Sequence, residues 1–216
     1  MIEAVIFDLD GILIDSEHVW DEVRQELAKE RGGRWSDSAS RDMMGMSSIE
    51  WSRYMRDVVG LDEDPEEISA EVVRRLEERY HEELPIIPGS EEALELLAAR
   101  WPLGLASSSN RELIDLVLAE SGFGRFFRAT VSSEEVPRGK PAPDVYVEAA
   151  RRLGADPARC AAVEDSENGI LAAKAAGMRT IAIPNPRYPP DEEALAAADA
   201  VLETLEELTP QIVEPD

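Results

Sequence analysis

Four short clusters in this sequence carry side chains able to do chemistry. The first is Asp8-Leu9-Asp10-Gly11. Carboxylates at i and i+2 of an extended chain project to one side, and two such groups repel unless a cation or a shared proton separates them. Hard oxygen ligands presented this way suit Mg²⁺, and Gly11 permits the tight turn that must follow. The second cluster is Ala106-Ser107-Ser108-Ser109-Asn110, hydroxyls just ahead of a helix pattern, where free backbone N–H groups attract an anion. Ser109 and Glu112 have the spacing of a capping box, so this serine is expected to close the helix end. The third is Arg138-Gly139-Lys140-Pro141-Ala142-Pro143. Lys140 is one of three lysines beside nineteen arginines, and a compact ammonium on a stiff turn can hold a phosphate oxygen. The fourth, Val163-Glu164-Asp165-Ser166, supplies two more acids. Each cluster alone also has an ordinary use, in turns, helix caps or solvated surface.

What must position these groups is visible around them. Residues 2–7, 103–106, 127–131, 160–163 and 180–183 are short apolar runs of the kind a strand buried on both faces requires. Between them lie helix patterns. Leu113, Leu116 and Val117 share a face, as do Val145, Tyr146, Ala149 and Leu153 after Pro143, and Pro88-Gly89-Ser90-Glu91-Glu92 opens another helix. Strands alternating with helices predict a parallel α/β sheet with right-handed crossovers. All four clusters then converge at the carboxyl edge of the sheet, where open α/β folds bind ligands. One stretch breaks the alternation: residues 16–86 contain no strand pattern and read as helices over 17–31, 47–59 and 65–83. That is too long for a crossover. The expected organisation is therefore a Rossmann-like core of residues 1–15 and 87–216 with an inserted helical domain at 16–86.

Composition narrows the partners. The chain has 216 residues, 44% of them hydrophobic, enough for a substantial core. It carries 46 acids against 22 bases, a net charge of −24, which disfavours nucleic acid and anionic membranes. The acids concentrate in residues 62–83, with ten acids to three arginines, and in 191–216, with nine acids and no base; these read as solvated surface. A single cysteine excludes an internal disulfide or a cysteine-built zinc site, and Cys160 reads as a packing residue in a strand. Asp8 and Asp10 come too early for a signal peptide, and no apolar run approaches the ~20 residues of a membrane span. The expectation is a cytoplasmic protein, monomer or weak oligomer, with no nucleic-acid or membrane partner.

Taken in order, DLDGILIDSE at 8–17, SSS at 107–109, GKPAPDVY at 139–146 and VEDSENGILAAKAAGM at 163–178 resemble the four motifs of the haloacid dehalogenase superfamily, in its phosphatase and β-phosphoglucomutase-like branch. The resemblance implies a helical cap in the place of the insertion. It also implies that Asp8 is the nucleophile forming an aspartyl-phosphate, and that Asp10 is the general acid and then base. By the same resemblance Mg²⁺ binds the Asp8 carboxylate, the Asp10 backbone carbonyl and Asp165, with Glu164 a further contact. Ser107, Ser108 and Lys140 hold phosphoryl oxygens, helped by backbone N–H groups near Leu9, Gly11 and Ser108. Glu17 falls near the site, and the partner is a small phosphorylated metabolite.

Within that superfamily, dehalogenation does not use an acid at the Asp10 position, and phosphonate cleavage needs a cap lysine, whereas the inserted segment holds only Lys29. The phosphosugar mutases carry a histidine shortly after the first motif and basic residues in the cap. Here Trp20 occupies the histidine position, His18 lies two residues away, and residues 43–48 (Met-Met-Gly-Met-Ser-Ser) hold no base, although Arg41 and Arg53 flank them. A hydrolase is thus expected, with a mutase as the alternative. The methionines, Trp51 and Tyr54 fit either the core of the insertion or a partly apolar specificity wall. A phosphorylated receiver-type domain would share the acids, hydroxyl and lysine, but lacks a long helical insertion after its first strand.

Overall fold

The sheet is built outward from its first strand. The structure, a computed structural model, describes residues 1–36 and 38–215. β1 (Ala4–Phe7) is wholly buried and pairs in parallel with β2 (Leu103–Ser107) on one side and β4 (Cys160–Glu164) on the other. β3 (Phe127–Ser132) lies outside β2, while β5 (Arg179–Ala182) and β6 (Ala200–Val201) extend the other edge. The order is β3-β2-β1-β4-β5-β6, all parallel. The five expected strands form with small shifts at their ends. The sixth has only two residues, too few for any periodicity to announce.

Between β1 and β2 the chain is helical: α1 (Glu17–Glu30), α2 (Ala39–Met43), α3 (Ser48–Tyr54) and α4 (Pro65–Glu82). The single helix expected over 47–59 is instead α3 followed by a wider π-type turn at Met55–Val59. That turn buries both Met55 and Val59 and ends at Gly60 with φ 88°, a left-handed conformation suited to glycine. The acidic face of α4 is solvated as expected, with Arg74 and Arg75 bridging Glu71, Glu78 and Glu30.

The core forms on both faces of the sheet. Val5 and Phe7 of β1 join a cluster with α5 (Ser90–Ala98) and α6 (Arg111–Ser121), which runs on into the inserted helices. Ala4 and Ile6 face α7 (Asp144–Leu153) and α8 (Glu167–Ala175), whose small residues Ala149, Ala150, Ala172 and Ala173 let those helices sit close. This alternation is the period-two signature of a strand covered on both sides. Cys160 is buried in that second cluster, and burial pushes its thiol up to about 11. The chain closes with α9 (Glu192–Ala197) and α10 (Pro210–Val213). No helix of the described residues is long and apolar enough to cross a membrane.

Candidate active site

The chemical clusters lie at strand ends or in the connections that follow them. Asp8 follows β1, and its N–H donates to Val163 O at 3.0 Å, so the backbone of β4 fixes it. Ser107 ends β2, Glu164 ends β4, and Lys140 lies in the connection from β3 to α7. Because β1, β2 and β4 are neighbours in the sheet, three of these clusters meet at one edge by topology alone.

Asp10 is held by four donors. Ser16 Oγ donates to its Oδ1 at 2.5 Å and Trp20 Nε1 at 3.3 Å; Ser109 Oγ donates to Oδ2 at 2.6 Å and Ser107 Oγ at 3.4 Å. The capping box expected of Ser109 does not form. Asn110 stands at the helix N-cap, and the Ser109 hydroxyl turns to Asp10, a charge-assisted bond stronger than a bond to a backbone amide. Ser107 is fully buried behind Asp10 and accepts from Ser109 N–H at 3.0 Å. Ser108 lines the pocket, with its hydroxyl donating to Gly45 O at 3.0 Å across to the inserted segment. Gly11, at φ 75°, makes the expected turn. Its N–H donates to Ile14 O at 2.8 Å, so it closes that turn and is not a free phosphate donor as the motif suggested.

Lys140 is buried between two acids. Its Nζ lies 2.5 Å from Glu164 Oε1 and 3.0 Å from Asp8 Oδ1. Burial alone would lower the pKa of this ammonium, but Asp8 and Glu164 outweigh it and hold the group above its ordinary value. Glu164 is saturated: Oε1 also accepts from Tyr146 OH at 2.6 Å, and Oε2 from Asp165 N–H at 3.1 Å and Ser166 Oγ at 3.2 Å. Asp8 and Asp165 are not. Burial first, then the charge of Glu164, pushes both carboxyls well above the usual carboxylate range.

One carboxylate oxygen each of Asp8, Glu164 and Asp165 lies within 4.8 Å of the others. Asp165 Oδ2 is buried with no hydrogen-bond partner among the described residues, and Asp8 Oδ1 is buried with only the Lys140 ammonium, 3.0 Å away, to answer it. Carboxylate oxygens with so few partners are costly in a protein interior, and hard oxygen donors crowded beside one another are what a divalent cation takes up. The residues present therefore fit a metal ion. The Asp10 carboxylate, turned to its serines, takes no part in this cluster. Gly11 admits Asp165 to it, since a Cβ there would stand 1.9 Å from Asp165 Oδ2.

Above these acids lies a pocket roofed by α1 and residues 43–51. Its walls include Glu17, Trp20, Arg24, Met43, Met46 and Trp51, and it encloses about 460 Å³ of space, open solvent at the mouth included. The methionines are thus wall as well as core, while Tyr54 turns away to Asp42. Trp20 lines the pocket and His18 does not. Arg53 faces a separate groove and Arg41 another, so neither supplies a cation here. The cation that does is Arg24, buried on α1 and absent from the sequence reading. A signal for it existed: Glu17, Trp20 and Arg24 recur at i, i+3 and i+7, a charged pair on the otherwise apolar stripe of a helix. Tyr146 and Ser16 were also missed as site residues. Burial, reinforced by Asp10, raises Glu17 to about 7. Burial lowers Arg24 to about 10, with Glu17 and Asp21 opposing, so it stays a cation at neutral pH.

This arrangement has counterparts. The haloacid dehalogenase-like hydrolase family matches residues 2–177. Hexitol phosphatase B of Escherichia coli K12 is 36% identical over 96% of this chain and 95% of its own length. Among solved structures, CbbY from Rhodobacter sphaeroides, in complex with phosphate, superposes with a TM-score of 0.86 at 27% identity, covering 99% of each chain. A β-phosphoglucomutase from Clostridium difficile shares the fold, with a TM-score of 0.85 at 24% identity over 98% of this chain and 95% of that one. With its acids, hydroxyls and lysine gathered at one sheet edge, the chain belongs to the haloacid dehalogenase-like hydrolase family, as a phosphoric monoester hydrolase.

Proposed function

We propose that the chain is a Mg²⁺-dependent phosphatase that releases phosphate from a small phosphorylated metabolite of the sugar-phosphate class, through an aspartyl-phosphate on Asp8. One observation carries this reading: two carboxylates two residues apart line one pocket in opposite settings. Asp8 meets a single cation, Lys140 at 3.0 Å from its Oδ1, and no array of donors, as a nucleophile needs. Asp10 is fixed in orientation by four donors, which places it to exchange a proton with the leaving oxygen and with water.

In the first step an Asp8 oxygen forms a bond to phosphorus as the ester P–O bond opposite it breaks, and Asp10 gives its proton to the leaving oxygen. In the second, Asp10 takes a proton from water, whose oxygen attacks phosphorus and expels Asp8 as a carboxylate. Lys140, Ser107 and Ser108 hold the phosphoryl oxygens. Asp8, Asp165 and the Asp10 carbonyl, with Glu164 beside them, would hold Mg²⁺, which when bound neutralises charge so that an anionic nucleophile can approach an anionic phosphate. Residues 16–86 act as a cap over a core of residues 1–15 and 87–216. The links Ser108 to Gly45 and Asn168 Nδ2 to Met44 O, 3.1 Å, support a closed cap.

The test is phosphate release by the purified protein from p-nitrophenyl phosphate and a panel of sugar and sugar-alcohol phosphates, with Mg²⁺ and with EDTA. Release that requires Mg²⁺ is expected; none from any substrate overturns the reading. A mutase is the second reading, favoured by the likeness of fold to β-phosphoglucomutase. β-Glucose 1-phosphate with a trace of bisphosphate separates the two, since glucose 6-phosphate as product means mutase and free phosphate means hydrolase.

A further inference from the structure

Arg24 is a cation with no hydrogen-bond acceptor and no close ion-pair partner among the described residues. Its guanidinium carbon lies 4.4 Å from the Trp20 ring centroid and 4.8 Å from that of Trp51, between two rings inclined at 69°. The side chain is 6% exposed, and its Nε is buried with no acceptor among the described residues. No described residue accepts any hydrogen bond from this side chain, and no described carboxylate forms an ion pair with it. A buried guanidinium N–H left unanswered is costly. Packing against the indoles restrains the planar fork, and Arg24 lines the pocket that Asp8 and Asp10 floor. The mechanism above uses Lys140 and never this group.

The surroundings restrict what Arg24 can accept. Glu17 lines the same pocket, and Asp21 and Asp10 also act on Arg24 electrostatically. Arg24 thus already faces Asp10, Asp21 and a Glu17 carboxyl that ionises near pH 7. A second phosphate would add two negative charges there and have to approach Glu17. A hydroxyl group adds none, and its oxygen accepts from Arg24 while its hydrogen is given to an acid. The methionine and tryptophan walls suit the carbon chain that bears it.

We propose that Arg24 is the specificity residue that reads the end of the substrate remote from its phosphate, and that this end is an uncharged, hydroxylated carbon chain. The inference rests on the phosphatase reading and deepens it. A site built to donate to a substrate hydroxyl rejects analogues lacking it, because the donors are left unanswered.

Two measurements test it. In the first, kcat/KM for sorbitol phosphate relative to p-nitrophenyl phosphate is compared between wild type and Arg24→Met, which keeps an unbranched stem between the indoles. The ratio is expected to fall about tenfold or more, with partial recovery in Arg24→Lys. Wild type is expected to favour sorbitol phosphate over the bisphosphate of the same sugar alcohol. In the second, calorimetry follows binding of sorbitol phosphate and of inorganic phosphate to Asp8→Asn and to Asp8→Asn with Arg24→Met. Only sorbitol phosphate is expected to weaken. If ratio and binding stay within about twofold in both Arg24 variants, the proposal is overturned while the phosphatase reading stands. A wild-type preference for the bisphosphate that is lost in Arg24→Met overturns the uncharged end. Wild type inactive towards p-nitrophenyl phosphate and every sugar phosphate overturns the phosphatase reading, and the calorimetry still decides whether Arg24 holds a hydroxylated chain.

Discussion

Ser109 and Asp10 are 99 residues apart in sequence and joined by a 2.6 Å hydrogen bond. The bond links the turn after β1 to the segment after β2, so the acid is held by an element it does not belong to. Ser109→Ala leaves the Ser16 bond to Oδ1 in place and removes the short bond to Oδ2. The expected result is a fall in kcat of about tenfold, the worth of one charge-assisted hydrogen bond. The fall is expected to be larger for an alkyl phosphate than for p-nitrophenyl phosphate, whose leaving group needs little protonation. Equal losses on both substrates would mean that Ser109 does not act through the acid.

Asp8→Asn removes the proposed nucleophile and is expected to abolish phosphate release. It also removes a charge from a crowded interior. Burial and Glu164 together outweigh Lys140 at this carboxyl, so the ionised form strains the metal-free fold. In EDTA at neutral pH the variant is expected to melt about 2–4 °C above wild type, corresponding to about 1 kcal/mol. A lower melting temperature would show that the Lys140 ion pair dominates at this position.

Gly169 sits in α8, where alanine ordinarily gains about 1 kcal/mol over glycine. A Cβ there would stand 2.0 Å from the carboxylate of Glu164, which is fully buried and tied to Lys140 and Tyr146. Gly169→Ala is therefore expected to destabilise the fold by about 1–3 kcal/mol, as overpacking does, and to lower activity at least tenfold. Urea unfolding beside steady-state kinetics checks both. A stabilised, active variant would place Glu164 elsewhere.

Glu17 gives a pH dependence with a definite sign. Its carboxyl rises from 4.5 to about 7 in the fold, through burial and then Asp10. The native state thus binds the proton more tightly than the unfolded chain, so the stability from this group is complete below pH 4.5 and lost as pH rises through 7. Glu17→Gln is expected to be more stable than wild type at pH 8, by on the order of 1–3 kcal/mol, with the difference vanishing below pH 4.5. Melting curves across that range, without metal, decide it. A difference that does not change with pH would assign the effect to packing.

Much of this molecule was legible in one dimension. Five apolar runs, four of them associated with chemical clusters, sufficed for the parallel sheet and for which residues stand at its carboxyl edge, because a strand buried on both faces must be continuously apolar and sheet topology then aligns the strand ends. The acids, the lysine and Gly11 were found this way, since each lies within a few residues of the element that carries it. What only the tertiary structure decided are the partnerships between elements. Ser109 looked like a helix cap, and local spacing cannot show that a carboxylate from another strand end competes for its hydroxyl. Residues 43–48 could be read for the bases they lack, but not for the cation one helix away that faces the same space. Arg24 lies on α1 at a position where period and burial predict an apolar residue. Its meaning comes from what surrounds it, two indoles and no acceptor among the described residues, and those contacts arise only when α1 and α3 fold over the sheet.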